Sequence, residues 1–150
     1  MTIRTATPDD LEIILEHRIS MFREMGYHEQ HLAHVNAVSR EYFREALVNG
    51  GYHAVLAEVD RAGAVGGGGV LVAAWPGSAH RTQPRRPWIL NIYVHPEFRR
   101  QGIARAIMNE LIEWCRGQGF DCVCLHASDQ GRPLYEQLGF RATNEMRLDF

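Results

Sequence analysis

The chain has 150 residues with 16 arginines, 18 acidic residues and no lysine. Without lysine there is no Walker-type phosphate loop, no Schiff base to a carbonyl or pyridoxal group, and no acylation of the protein's own lysine side chains. A formal net charge of −2 lacks the basic footprint of a nucleic-acid binder, and the length predicts one domain, 1–150, with room for a substantial core.

The first seven residues are too few and too polar for the apolar region of a signal peptide. No apolar run reaches the ~18 residues that a membrane helix needs. Cys115, Cys122 and Cys124 form an odd set without framework spacing, which predicts reduced thiols in a cytoplasmic protein. They read as small buried hydrophobes, not as zinc ligands or a redox pair.

In chain order, Thr7-Pro8-Asp9-Asp10 predicts a helix start, with Thr7 as N-cap and Asp10 completing a capping pattern. Leu11, Ile14, Leu15, Ile19, Phe22 and Met25 supply an apolar face up to Gly26. A second helix is expected over about 29–48, with Leu32, Val35, Val38, Tyr42, Phe43, Ala46 and Leu47 inward and Gly50-Gly51 as its stop. Strands follow at 52–59 and 65–75, then a polar loop at 76–87 holding Arg81, Arg85 and Arg86. The segment 88–94 (WILNIYV) is apolar with little alternation, as in a strand covered on both faces. A helix over 102–116, a strand over 121–127, a short helix over 133–138 and a final strand or hairpin over 140–149 complete the chain. The run Gly66–Gly69 has no helix after it, so it reads as a bulged or closely approached strand and not as a dinucleotide loop.

Charge is unevenly spread. Residues 1–60 carry ten acids and five arginines, whereas residues 81–106 carry six arginines and one glutamate. A positive zone inside a nearly neutral protein suits a small anionic ligand. The strand at 88–94 leads through His95-Pro96-Glu97 into Arg99-Arg100-Gln101-Gly102-Ile103-Ala104, which opens a long amphipathic helix. A helix start offers unpaired N–H groups and the positive end of the macrodipole, Gly102 permits close backbone approach, and the arginines add charge. This local physics points to a phosphate.

The same segment resembles the coenzyme A signature of the GNAT superfamily of acyl-CoA N-acyltransferases. The match lies in Val94 and Pro96 at the strand end, then Arg99, Gly102 and Ala104. Downstream, Leu134-Tyr135 with Gly139-Phe140 resembles the family's L-Y-x-x-x-G-F element. The resemblance implies an α+β fold with a central mixed sheet splayed between the parallel strands at 88–94 and 121–127, flanked by helices on both faces. It implies pantetheine beside Ile92, Tyr93 and Val94, and a diphosphate on the segment Arg99, Arg100, Gln101, Gly102, Ile103, Ala104 and Arg105. Ser128 stands where many relatives place an asparagine that holds pantetheine. Arg81, Arg85 and Arg86 are candidates for the ribose phosphate.

Transfer from a thioester to an amine needs a neutral amine, a stabilised carbonyl oxygen and a protonated departing thiolate. By resemblance Tyr135 is the acid, and a backbone N–H near Ile92–Val94 is the oxyanion donor. The base positions known in some relatives fall on Trp88 and Leu90, which cannot accept a proton, and Asn91 can only position a water. Glu24, His28, His126 or a water chain remain as candidates. The His28, His31 and His34 spacing spreads over more than one helical turn, so no metal is expected; these residues read as pocket lining. Met21, Phe22, Glu24, Met25 and Tyr27, with Arg18, form the expected acceptor wall, in which Glu24 attracts a cation. The implied activity is direct acetyl transfer from acetyl-CoA to a primary amine, with a small molecule as acceptor. A protein N-terminus or lysine is the alternative acceptor, and a silent acyl-CoA-binding sensor the alternative class. A final strand ending at Phe150 would offer an edge for a homodimer.

Overall fold

The computed structural model describes residues 1–150. Its first strand, β1 (Thr2–Thr5), precedes the helices where no strand was expected, because four residues carry too little period-two signal. β1 lies antiparallel to β2 (Tyr52–Val59), from Thr2 opposite Glu58 to Thr5 opposite Val55. Arg4 fastens this edge: Nε donates to Glu58 Oε1 at 2.7 Å, and Nη1 and Nη2 each donate to Asp10 at 2.8 Å.

Asp10 occupies the predicted capping position. A tight turn at Pro8–Asp10 opens α1 (Leu11–Glu24), and the Asp10 carboxylate accepts from the Thr7 N–H at 2.8 Å. The Arg4 guanidinium, helped by that N–H, holds this buried carboxyl well below the usual carboxylate range. A depressed carboxyl stabilises the fold above its unfolded pKa of about 3.9 and loses that contribution as pH falls through the folded value. Urea midpoints should therefore fall on acidification below about pH 4. Asp10→Asn should cost about 1–3 kcal/mol near neutrality and flatten that acid limb. An unchanged pH slope in the variant would count against this role.

The second helix, α2 (Glu29–Asn49), ends at Gly50, whose φ of 80° needs glycine's freedom. Leu32, Phe43 and Ala46 are buried as expected, but Val38 and Tyr42 are 59% and 44% exposed. Ser39 turns inward in their place, because its hydroxyl serves a buried arginine described below.

β2, β3 (Gly63–Ala74) and β4 (Arg85–Val94) continue the sheet as an antiparallel ladder, and β5 (Cys124–Leu125) joins parallel to β4. α1 and α2 cover one face through Ile14, Leu15, Phe43 and Ala46, which pack on Tyr52 and Ala54 of β2. α3 (Ile103–Gly117) covers the other, where Ile107, Met108 and Leu111 are fully buried against Val55, Val70 and Ile89. The result is an α+β fold with a mixed sheet between two helical layers. No helix is long and apolar enough to cross a membrane.

The glycine run lies in β3, as a closely approached strand. A Cβ at Gly69 would sit 2.3 Å from the Tyr52 ring, and one at Gly68 would meet Ile92 and Ile107 from the opposite face.

Three expectations need correction. The loop ends before Arg85, so Arg85 and Arg86 belong to β4 and not to the polar loop expected over 76–87. β5 is two residues long, not seven, because its ladder with β4 ends where the strands diverge. Residues 140–149 form no strand or hairpin. Met146, Leu148 and Phe150 alternate, but with no strand edge alongside they remain exposed, and the expected dimer edge at Phe150 is not formed.

Candidate functional site

β4 and β5 share only two residue pairs, Trp88 with Cys124 and Ile89 with Leu125. Beyond them β4 continues alone on that side. The His95 N–H bonds to Val65 O at 2.8 Å across the β3 side. By antiparallel alternation, Ile92 and Val94 therefore turn their N–H and C=O groups toward the gap. An unpaired strand edge of this kind can accept an extended, amide-containing ligand.

A bulge sits at the mouth of the gap. The register passes from Gly69 opposite Leu90 to Gly67 opposite Tyr93, so Asn91 and Ile92 together face Gly68. Asn91 takes a φ of 62°, an uncommon conformation for a non-glycine residue. Its buried side chain is held on both ends: Nδ2 donates to the Tyr52 hydroxyl at 3.0 Å, and Oδ1 accepts from Arg18 Nη1. Arg18 Nε donates to Ser39 Oγ at 3.0 Å, and its guanidinium lies 4.7 Å from the Phe22 ring centre and 5.6 Å from that of Phe43. Burial pushes the Arg18 pKa down and drives that of the Tyr52 phenol up to about 12. This Ser39–Arg18–Asn91–Tyr52 chain was not legible in the sequence, since its members are drawn from two helices and two strands.

At the far end of β4 the chain turns through Pro96–Phe98 into α3. Arg100 and Gly102 have φ of 62° and 82°. The first turn bond of α3 runs from Ala106 N–H to Gly102 O, which leaves the amides of Arg100–Arg105 without an acceptor in the chain. These N–H groups and the helix dipole form an anion cradle. Gln101 Nε2 donates to Glu97 O at 3.4 Å and closes the turn, while Arg105 donates to Gln137 of α4 (Arg132–Gln137). Ile103 is buried and Ala104 half-buried beneath the turn.

Arg99 is not a free cation. Its Nη2 grips both Glu24 oxygens at 2.6 and 2.7 Å, and its Nε donates to Val94 O at 2.8 Å. Glu24 is thus engaged in an ion pair with Arg99 instead of standing alone on the expected acceptor wall. Arg81, Arg85 and Arg86 lie toward the opposite end of β4 from the cradle, about 30 Å away for a ten-residue strand. Arg81 pairs with Asp121 at 3.2 Å, Arg85 covers Phe120 and Arg86 packs between Trp75 and Trp88. Placed there, they do not serve a ribose phosphate beside the cradle.

Tyr135 is half-buried on α4 and packs against Phe140 at 6.1 Å. Its ring folds back over Gly131, where a Cβ would lie 2.8 Å from the hydroxyl. Burial pushes the phenol pKa up from a value already well above neutrality, and the hydroxyl carries a proton it can donate. Ser128 closes the turn that leads into α4: its Oγ accepts from the Gly131 N–H at 3.2 Å.

His126, immediately beyond β5, lies 4.9 Å from the Trp88 ring, with Nε2 2.8 Å from Glu145 Oε1. Glu145 lies 19 residues away in an irregular tail, where no local sequence pattern ties it to His126. His28, His31 and His34 are exposed, and His31 stacks on Tyr27. Of the expected acceptor wall, Met21 and Phe22 are half-buried near Arg18, whereas Met25 and Tyr27 are exposed at 54% and 49%. Burial pushes the Cys115 thiol up to about 11 and raises that of Cys122, which makes both poor nucleophiles.

The sequence model of the acetyltransferase (GNAT) family matches residues 14–140. A GCN5-related N-acetyltransferase from Ralstonia eutropha JMP134 superposes with a TM-score of 0.92 at 33% identity, covering 99% of this chain and 97% of that one. A predicted acetyltransferase from Clostridium acetobutylicum, solved with acetyl-CoA, superposes at 0.90 with 23% identity over 99% of this chain and 95% of that one. Glucosamine 6-phosphate N-acetyltransferase of Trypanosoma brucei brucei is 40% identical over 62 residues, 41% of this chain and 42% of that protein. The chain spans less than half the length of the curated relatives it matches.

Proposed function

The chain belongs to the acetyltransferase (GNAT) family, and on that footing we propose that residues 1–150 act as one transferase domain that moves an acetyl group from acetyl-CoA to a small-molecule primary amine. The observation that carries the reading is the pairing of two local features on one strand: the edge at Ile92 and the Val94 N–H, which has no strand beside it, and the unsatisfied amides of Arg100–Arg105 at its end. Coenzyme A has a matching shape, with a neutral amide-bearing arm joined to a diphosphate. The thioester supplies an activated acyl group; the chain supplies position and proton transfer. In this reading the edge at Ile92–Val94 aligns the arm, the cradle from Arg99 to Arg105 takes the diphosphate, and Ser128 bonds the arm from the β5 side. A main-chain N–H in the Ile92–Val94 segment faces the oxygen on which charge develops.

Proton traffic follows from two side chains. His126 Nε2 lies 2.8 Å from Glu145 Oε1; in the tautomer that carries its proton on Nε2 and donates it to this carboxylate, Nδ1 is left to accept the proton of the attacking amine. Tyr135 returns a proton to the departing thiolate. No acyl-enzyme is needed, and the cysteines take no part.

Coenzyme A at about 100 times its Kd should stabilise the protein by ~2.7 kcal/mol, a rise of about 5–10 °C in Tm. Gly102→Val, which forces a branched side chain into a left-handed turn, should weaken that binding at least tenfold (an order-of-magnitude figure from the cost of the strained turn). No stabilisation at millimolar coenzyme A would end the reading. Thiol release from acetyl-CoA across amines, amino acids and peptides then identifies the acceptor; stabilisation without release from any of them would make the protein a binding module.

A further inference from the structure

Arg18 is the half-buried charge that the fold leaves uncompensated beside the bulge of β4. Arg4, Arg23, Arg40, Arg44, Arg81, Arg99 and Arg116 each have a carboxylate within ion-pair distance, and Arg18 has none. Its partners are the neutral Ser39 Oγ and Asn91 Oδ1 and two aromatic rings. These fix the plane of the guanidinium without cancelling its charge. Nη2 makes no hydrogen bond, yet it is not among the sealed, unsatisfied nitrogens of the molecule. One edge of the fork is therefore rigid, desolvated on its flanks and open.

We propose that this open edge of Arg18 selects the acceptor, and that the acceptor is a primary amine carrying an oxyanion, a carboxylate or a phosphate. The inference rests on the acetyl-transfer reading above and reverses the sign expected from sequence, where Glu24 was to attract a cation. Asn91 joins Arg18 to the bulge at which β4 leaves β5, so the anion is anchored next to the open edge used for the thioester. An arginine whose only polar partners are neutral gains most from an anion, because charge-assisted bonds to a planar oxyanion are the strong ones and the side chain is already ordered.

The test uses the whole chain, saturating acetyl-CoA and matched amine pairs: β-alanine against β-alaninamide, and O-phosphoethanolamine against ethanolamine. The wild type should favour the charged member of at least one pair by about tenfold or more in kcat/KM, and the pair that responds distinguishes carboxylate from phosphate. Arg18→Gln should erase the preference while leaving the KM for acetyl-CoA unchanged, and Arg18→Lys should keep a weaker preference. Equal use of both members by the wild type, or an equal loss on both in Arg18→Gln, would overturn the proposal. Should no pair turn over, a melting shift produced by the charged member in the wild type but not in Arg18→Gln supports it, and no such shift overturns it. If Arg18→Gln does not fold, the wild-type preference and Arg18→Lys decide. Loss of stabilisation by coenzyme A itself would instead sink the transfer reading, so the two failures are distinguishable.

Discussion

Tyr135→Phe should lower kcat by about a hundredfold while leaving the melting shift produced by coenzyme A in place. The substitution removes one hydroxyl and keeps the ring that packs on Phe140 and Gly131, so fold and cofactor contacts survive and the loss falls on protonation of the thiolate. The phenol is protonated at neutral pH, with burial raising its pKa further, so it holds a proton to give. Single-turnover kinetics of thiol release read the effect directly; an unchanged rate would remove Tyr135 from the acid role. His126→Ala should also lower kcat, by about tenfold or more, with the coenzyme A shift intact. If its rate equals that of the wild type, the amine loses its proton by another route.

Gly69→Ala should destabilise the protein by about 2 kcal/mol, or roughly 4–8 °C in Tm for a chain of this size. The added Cβ would lie 2.3 Å from the Tyr52 ring, a side chain only 3% exposed and packed 4.6 Å from Phe43. The ring cannot swing aside without breaking its hydroxyl's bond to Asn91, so the damage reaches the bulge and Arg18. The same variant should lose turnover beyond what its stability predicts, measured well below its Tm. Gly26→Ala is the contrasting case: Gly26, unlike Gly69, has a positive φ, of 90°, but a Cβ there meets nothing within 4 Å, so only local backbone strain of about 1–2 kcal/mol is expected. A Gly69→Ala protein with wild-type Tm and rate would show that Tyr52 has slack this packing does not indicate.

Local patterns were legible because their causes are local. Thr7 and Asp10 lie within one turn, so the helix start could be read and was found. The cradle at Arg99–Ala104 was legible for the same reason: glycine, helix start and preceding strand are contiguous. Gly66–Gly69 was recognised as a tight approach, but the ring it makes room for could not be named. Tail and edge failed for the opposite reason. Residues 140–149 alternate like a strand, but a strand exists only beside a partner, and the two-residue β5 provides none.

Charge shows the division most clearly. The sequence by itself determined that every basic group is arginine, that six of them cluster in residues 81–106, and that a helix start built for an anion lies among them. Which arginines are available was decided only by the tertiary structure. Arg99 is spent on Glu24, 75 residues away, Arg81, Arg85 and Arg86 lie toward the far end of β4, and Arg18 meets Asn91 across 73 residues. A formal charge belongs to a residue type, but its free valence depends on which groups folding brings within hydrogen-bond reach, and separation along the chain does not encode that.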